Sequence, residues 1–367
     1  MNDERTTKHR RLVRYLDARG LEGALLGRRC NFSWYTGGAH NHVATACDVG
    51  ASWLLVTRDR ATVLANNIEA PRLREEELAG SGIEVLEYDY ADPAAAARAF
   101  AEAAGGRKVA SDAPSPWGEM PRLDADFDRL RWALTPAETE RYRRLCGDTA
   151  AAVEATARAV RAGQTECAIA GALAAELAAR DCTPWVLLVA ADARVAAYRH
   201  PLPTAGVVRS YFMLVTCAER GGLIAACTRL AAFGPVPDDL ARRHRAVATV
   251  DAALISATRP GASLGAIFAE GQAAYAAVGF PDEWRRHHQG GSCGYLPRDV
   301  KAGPGETTEA LADQAFAWNP SIAGTKSEDT ILCTSAGPQL LARPTDWPTV
   351  RAEWKGFAVD RPDILAL

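Results

Sequence analysis

The chain has 367 residues, and at about 150 residues per domain that length suggests two domains with no need of disulfide staples. Hydrophobic residues make up 48% and charged residues 24%, the balance of a globular protein, and no run of about 20 apolar residues spans a membrane. Forty-two basic against forty-five acidic side chains leave a net charge of −3, so no basic excess exists to neutralise a nucleic-acid backbone.

The opening MNDERTTKHRR is charged and is followed by no apolar segment, so no secretory leader is expected. Within Lys8–Arg19 the apolar residues Leu12, Tyr15 and Leu16 keep helical spacing, and Gly20 ends the run. GALLGR (23–28) reads as a short buried strand. NFSWYTGG (31–38) ends in a Gly pair and reads as a strand or turn entering a loop. SWLLVT (52–57) and ATVLAN (61–66) flank a charged turn and predict a hairpin. A charged helix over Arg72–Leu78, a strand IEVLEY, a helix PAAAARAFAEAA and a strand KVASD complete an α/β domain over 1–130.

Composition changes near 131. RWALTPAETERYRRLCGDTAAAVEATARAVRAG predicts a long helix that opens at Thr135-Pro136 with Glu138 as capping partner. Thr165 is the expected N-cap of a second helix, Glu166–Arg180. Strands WVLLVA, YFMLVT, LIAACT, AFAWNP and DTILC follow, with helices over Asp238–Thr258 and Leu264–Val278. This is an α+β domain over 131–367.

The chemistry-bearing residues are dispersed. Nine cysteines stand singly with no CxxC pair, and seven histidines form no HExxH helix. An odd, scattered set of thiols reads as reduced and cytoplasmic, each Cys being first of all a small buried hydrophobe.

Six phrases nevertheless follow one another in a meaningful order. RWALTPAETERYRRLC has a Thr-Pro-x-Glu entry, and AGQTECAIAGALAAEL a Gly-x-Thr-Glu helix start. AYRHPLPT carries His-x-x-Pro, and LVTCAERGGLIAACTRLAAFG has the frame of a stretch ending Asp-x-Thr-Arg. HHQGGSCGYLPRD has the frame of His-x-Gly-His-Gly-x-Gly, and AFAWNPSIAGTKSEDTILC that of Glu-Pro followed by Glu-Asp. Together they resemble the pita-bread family of creatinase, aminopeptidase P and prolidase. The resemblance implies a creatinase-like N-terminal α/β domain followed by a pita-bread (creatinase/aminopeptidase-like) α+β C-terminal domain.

Active members of that family hold two divalent metals with two Asp, one His and two Glu. Carried over one at a time, those seats fall on Thr216, Cys227, Gly291, Asn319 and Glu328. Only Glu328 is a ligand for hard cations, and one carboxylate does not hold a pair of them. No metal and no cofactor are therefore expected. The resemblance places His200 facing substrate and lines the former metal pocket with Thr216, Cys227, Arg298, Asn319 and Glu328. Tyr295, His287 and His288 would stand near it, and Arg229 keeps the family's Thr-Arg pair.

Each residue has two readings. His200 is an acid/base or a satisfied core histidine. His287 and His288 are adjacent, so on a strand they face opposite ways, and His288 fits the pocket better. Glu328 is an acid/base with a raised pKa or the partner of Arg229 or Arg298. Arg298 suits a substrate carboxylate or a salt bridge. Cys227 is a nucleophile or, better, an inert buried thiol. Lys326 binds an anion or is solvated, and Trp318 packs. Creatinase-like dimers close a partner's N-domain loop over the site, which singles out Asn41 and His42 beside Arg29 and Asn31.

The expectation is a homodimeric, metal-independent enzyme acting on a small polar molecule by C–N hydrolysis or elimination, as creatinase uses this pocket without metal. His200, His288 and Glu328 would be catalytic; Arg298, Asn319, Thr216, Cys227, Tyr295, Arg229, Asn41 and His42 would bind substrate. A catalytically inactive pseudopeptidase serving as a binding module is the rival, and a metallopeptidase with a relocated metal a third reading. Neither nucleic acid nor membrane is expected as a partner.

Overall fold

The computed structural model describes residues 3–342 and 346–367, so Met1 and Asn2 of the charged opening lie outside it. Two units separate by their internal contacts. One runs to Arg131 and includes Thr135–Ala137; the other comprises Trp132–Leu134 and Glu138–Leu367. No helix among the described residues is long and apolar enough to cross a membrane.

In the first unit the helix α1 (Asp3–Arg19) leads into β1 (Gly23–Arg28) and α2 (Arg29–Thr36). The hairpin β2 (Val49–Thr57) and β3 (Ala61–Asn66) follows, then α3 (Ala70–Arg72, continued by a π-turn Leu73–Glu77) and β4 (Glu84–Tyr88). The unit closes with α4 (Ala95–Ala104), β5 (Val109–Ser111) and the short α5 (Ala125–Asp128). The strands form one sheet in the order β4-β3-β2-β1-β5, antiparallel in its middle and parallel at both edges.

The segment read as a strand or turn is the helix α2. Its Phe32, Ser33, Trp34 and Tyr35 are all buried, so no polar stripe marks a helical period in the sequence. Gly37, at φ +86°, supplies the left-handed cap that ends it. The polar residues around this turn serve the unit itself. Asn41 Nδ2 donates to the carbonyls of Gly27 and Ser52, at 3.0 and 2.8 Å. Arg29 donates to the Thr45 carbonyl, and Asn31 to Asp112. His42 stands edge-on to His40, 5.2 Å between ring centroids. Asn41 is thus a backbone brace rather than a group free to meet substrate.

The second unit is built on α6 (Pro136–Ala159), α7 (Glu166–Ala178), β6 (Thr183–Ala191), α8 (Ala193–Ala197), β7 (Tyr211–Arg220) and β8 (Leu223–Ala232). Thr165 caps α7 as expected, its side chain accepting from Ala168 N. Two long helices follow, α9 (Asp238–Ala257) and α10 (Leu264–Ala277), then β9 (Gly290–Cys293), β10 (Val300–Lys301) and β11 (Gln314–Trp318). The ribbon β12 (Ser321–Ile322) and β13 (Thr325–Lys326) leads to β14 (Asp329–Thr334) and β15 (Gly337–Leu340). A hairpin, β16 (Thr349–Trp354) and β17 (Phe357–Pro362), and β18 (Leu365–Ala366) end the chain. The main sheet runs β10-β9-β11-β14-β8-β7-β6, with β15 on β14 and β18 on β8.

The helices α9 and α10 share one apolar cluster with the sheet, made by Val247, Leu254, Ile267, Phe268, Phe316, Trp318 and Ile331. Trp318 packs there and donates Nε1–H to Thr258. Beneath the start of β14 lies a buried chain of alternating charge. Arg229 joins Glu154 (2.9 Å) to Asp329 (2.9 Å), and Arg361 joins Asp329 (3.0 Å) to Asp251 (2.8 Å). Each carboxylate here depends on its guanidinium, because an unpaired buried charge is costly.

Replacing Arg361 with Met leaves buried Asp251 without its guanidinium and Asp329 with Arg229 alone, and should destabilise the fold by about 3–5 kcal/mol in chemical denaturation. Arg351→Met, which breaks an exposed pair with Asp360, should cost under about 1 kcal/mol. Equal losses in the two variants would contradict this ranking.

Candidate active site

A cavity of about 460 Å³ opens in the second unit. One wall is apolar and comes from β6 and β7: Trp185, Leu187, Leu188, Val215 and Cys217, with Leu202 at the mouth. The polar side is formed by His200, His288, Arg298, Asn319, Lys326 and Glu328. Five of these six are the residues expected in the pocket, and the structure adds Lys326 to them as an anion-facing cation rather than a solvated one.

Glu328 is the fixed point. It is 3% exposed, and both its oxygens are engaged. Oε1 accepts from Arg298 at 3.1 Å; Oε2 accepts from Lys326 at 2.6 Å and from Thr228 Oγ1 at 2.7 Å. Burial alone would raise its pKa, but the charges of Lys326 and Arg298 overcome that and hold it down to about 2. The acid/base role expected of Glu328 is therefore corrected: it stays ionised, with no lone proton to exchange near neutrality.

Three histidines meet beside it. Ring centroids lie 4.9 Å apart for His200–His287, 4.5 Å for His287–His288 and 5.8 Å for His200–His288. The expectation that His287 and His288 face opposite ways fails because they leave a 3-10 turn (Glu283–Arg286) ahead of β9 and are not paired strand residues. Their protons follow from their neighbours. His287 Nδ1 is 3.2 Å from the Asn319 carbonyl, which only accepts, so Nδ1 carries the hydrogen. His287 Nε2 is then bare, and His200 Nε2, 3.1 Å away, donates to it. That leaves His200 Nδ1 as a bare nitrogen. His288 Nδ1 accepts from Gly290 N–H at 3.3 Å, so its Nε2 keeps the proton.

All three are held neutral. Burial, reinforced by Lys326, lowers His200 and pushes His287 down to about 2. Burial and then Arg298 bring His288 to about 4. The outcome is two neutral imidazoles whose free nitrogens differ, a bare one on His200 and a protonated one on His288.

Several expected residues lie elsewhere. Thr216 is fully buried and donates to the Val186 carbonyl at 2.8 Å, and Cys227 opposite it in the sheet shares that face. The pocket instead takes Val215 and Cys217 from β7. Their sheet partners, Thr228 and Ala226, share the pocket face. The carried-over frame was thus one residue out, and in a strand one residue exchanges the two faces. Counting back from Thr228-Arg229 through Asp-x-Thr-Arg lands on Ala226, and eleven residues earlier on Val215. Burial raises Cys227 against the opposing charge of Arg229, so it is an inert thiol. Arg229 belongs to the buried charge chain, and Tyr295 donates to Glu138 in the core at 2.7 Å. Neither lines the cavity.

Among the described residues His200, His287 and His288 form the one group of three such side chains with ligand atoms close enough for a metal, within 4.8 Å. The 3.1 Å between two Nε2 atoms is near the ~3.3 Å edge of a tetrahedron with Zn–N bonds of about 2.0–2.1 Å. Two features oppose an ion there. His288 already uses Nδ1 to accept from Gly290, so its Nε2 is a donor rather than a ligand. Lys326 and Arg298 also place positive charge against the trio. Gly291, the position expected from the sequence to match a metal-binding His, has φ +153°, and a Cβ there would lie 2.0 Å from the Val300 carbonyl. The backbone closes the position to any side chain.

Comparison with known proteins gives two family matches. Metallopeptidase family M24 matches residues 140–335, and the creatinase/prolidase N-terminal domain matches residues 8–145. The prolidase from Pyrococcus horikoshii OT3 has a similar fold, with TM-score 0.76, 17% identity, and 92% of this chain and 98% of that one covered. The Xaa-Pro dipeptidase from Bacillus anthracis is similar at TM-score 0.74, 18% identity, and 93% and 98% coverage. The N-terminal domain of FACT complex subunit SPT16 from Cicer arietinum is similar at TM-score 0.67, 12% identity, and 92% and 96% coverage. At these identities the likeness speaks for the fold alone. No curated protein matches the chain.

The depressed histidines make stability pH-dependent. Below the unfolded value of 6.5 the unfolded chain takes up protons that folded His288 refuses until about pH 4, so stability is lost as pH falls through that window. A His288→Gln variant should show a shallower fall in Tm from pH 6.5 to 4 than the parent. Identical slopes would mean that His288 is not held neutral.

Proposed function

The chain belongs to metallopeptidase family M24, and from that premise we propose that it is a member working without the family's metal pair. It cleaves a C–N bond of a small polar molecule, by hydrolysis or elimination, with two neutral histidines, one as proton acceptor and one as hydrogen-bond donor. The observation that carries this reading is that His200 and His288 line one pocket while their hydrogen bonds engage the other ring nitrogens, which leaves Nδ1 bare on His200 and Nε2 protonated on His288. His200 Nδ1 accepts a proton from the attacking water, or from carbon in an elimination. His288 Nε2–H hydrogen-bonds the departing nitrogen, and the proton taken up by His200 is passed to that nitrogen as it leaves. Charge gained by His200 is shared with His287 across their contact.

The rest of the pocket supports a metal-free course. A metal pair would supply a polarised carbonyl and a bound hydroxide, but needs several anionic oxygen ligands. The pocket face of β7 and β8 offers Val215, Cys217, Ala226 and Thr228, and the same lack of carboxylates holds in the alternative frame at Thr216 and Cys227. Glu328 is saturated by Lys326, Arg298 and Thr228, and its task is to hold the two cations in place. Asn319 completes the wall, ready to hydrogen-bond the reacting group. A homodimer in a cytoplasmic setting belongs to the same reading, the latter supported by nine free thiols. The pseudopeptidase rival has less support, since a site kept only for binding needs no opposed pair of imidazole nitrogens.

Metal analysis of the purified protein should find well under one equivalent; two tightly bound equivalents would overturn the proposal. Screening against N-acyl, N-carbamoyl and N-amidino amino acids should reveal chelator-insensitive turnover. His200→Ala and His288→Ala should each lower kcat by about 10²–10⁴ with the fold intact. Full activity in both variants would sink the assignment.

A further inference from the structure

We infer that the pocket takes an anion with an apolar tail, in its simplest form a medium-chain carboxylate, whose charge is held by Lys326 and Arg298. The inference rests on the proposed reading of this cavity as the working site and names the class of molecule it admits.

The charges in the pocket do not cancel. Lys326 and Arg298 stand against Glu328 alone, two cations to one carboxylate, which leaves one positive charge in excess. The neighbouring imidazoles add no negative charge. An ammonium would meet no free carboxylate oxygen, because Arg298 occupies one Glu328 oxygen while Lys326 and Thr228 occupy the other. A cationic substrate group is thereby disfavoured.

Unsatisfied polar atoms point the same way. Arg298, whose side chain is 10% exposed, has a buried Nε–H with no hydrogen-bond partner among the described residues. A buried donor on a cation is stabilised most by a charged acceptor. The side-chain oxygen of Asn319, also buried in the pocket wall, is likewise unpartnered, and a ligand N–H or O–H would satisfy it. Alternatively the amide turns over and donates to the anion.

The opposite wall selects for a tail. Trp185 and Leu202, 38% and 70% exposed, are among the most exposed large apolar side chains of the described chain, and both line this cavity. Behind them Leu188 and Val215 continue the apolar surface. A ligand that places carbon against these residues and its charge at Lys326 fills both halves of the cavity, the usual division of labour in small-molecule sites.

Isothermal titration with hexanoate, acetate, hexanamide and hexylamine at pH 7.5 tests this without requiring turnover. Hexanoate should bind at least about tenfold more tightly than hexanamide, as loss of a charge-assisted hydrogen bond implies, and hexylamine should not bind. Acetate should bind more weakly than hexanoate for want of a tail. Lys326→Met should abolish the preference for hexanoate over hexanamide. Should that variant not fold, Leu202→Asp, at an exposed position, should weaken hexanoate by placing a like charge at the mouth. Hexylamine binding as well as hexanoate, or hexanoate affinity unaffected by Leu202→Asp, would overturn the inference. Hexanoate binding in a protein that turns over no C–N substrate would sink the catalytic reading and leave this one standing.

Discussion

Glu328 keeps its charge in a nearly dry site because Lys326 and Arg298 each hold one of its oxygens. Most of the pocket follows from that arrangement. The two cations are drawn to the floor of the cavity and fixed there, since releasing either would leave a buried carboxylate short of a partner. Their combined charge outweighs the carboxylate and acts on the imidazoles alongside burial, so that His200, His287 and His288 are neutral. Neutral imidazoles can each accept or donate a proton, whereas imidazolium can only donate.

The same stretch of backbone carries a second polar network on its other face. From Lys326, at the end of β13, to Asp329, at the start of β14, successive side chains alternate between two sides. Lys326 and Glu328 enter the cavity, while Ser327 and Asp329 join Asp251, Arg361 and Arg229 beneath it. The lower network anchors the strand that presents the upper one. Precision in the pocket is thus supplied by a buried charge chain that touches no ligand, as a rigid site requires of its supporting residues.

Much of this was legible in the sequence, and the errors have one physical source. The hairpin, the capped helix after Thr165 and the strands of the main sheet carry strong period and cap signals. The helix α2 was missed because all its faces are buried. His200, His288, Arg298, Asn319 and Glu328 came together as the six ordered phrases implied. Thr216 and Cys227 did not, because they lie one residue from Val215 and Ala226 along β7 and β8, and in a strand one residue is the difference between the two faces. The state of Glu328 depended on whether cations touch it, a three-dimensional fact; the i, i+2 spacing of Lys326 and Glu328 was the available hint. Asn41 and Tyr295 look like site residues by type, and only their hydrogen bonds show that they brace backbone and core.

The central claim is that one pocket holds two neutral histidines with opposite free nitrogens. Long-range ¹H–¹⁵N correlation of the histidine rings at pH 7 tests it most directly. The account predicts three neutral rings, with the proton on Nδ1 of His287 and on Nε2 of both His200 and His288. An imidazolium at any of the three, or a proton on Nδ1 of His200, would contradict it.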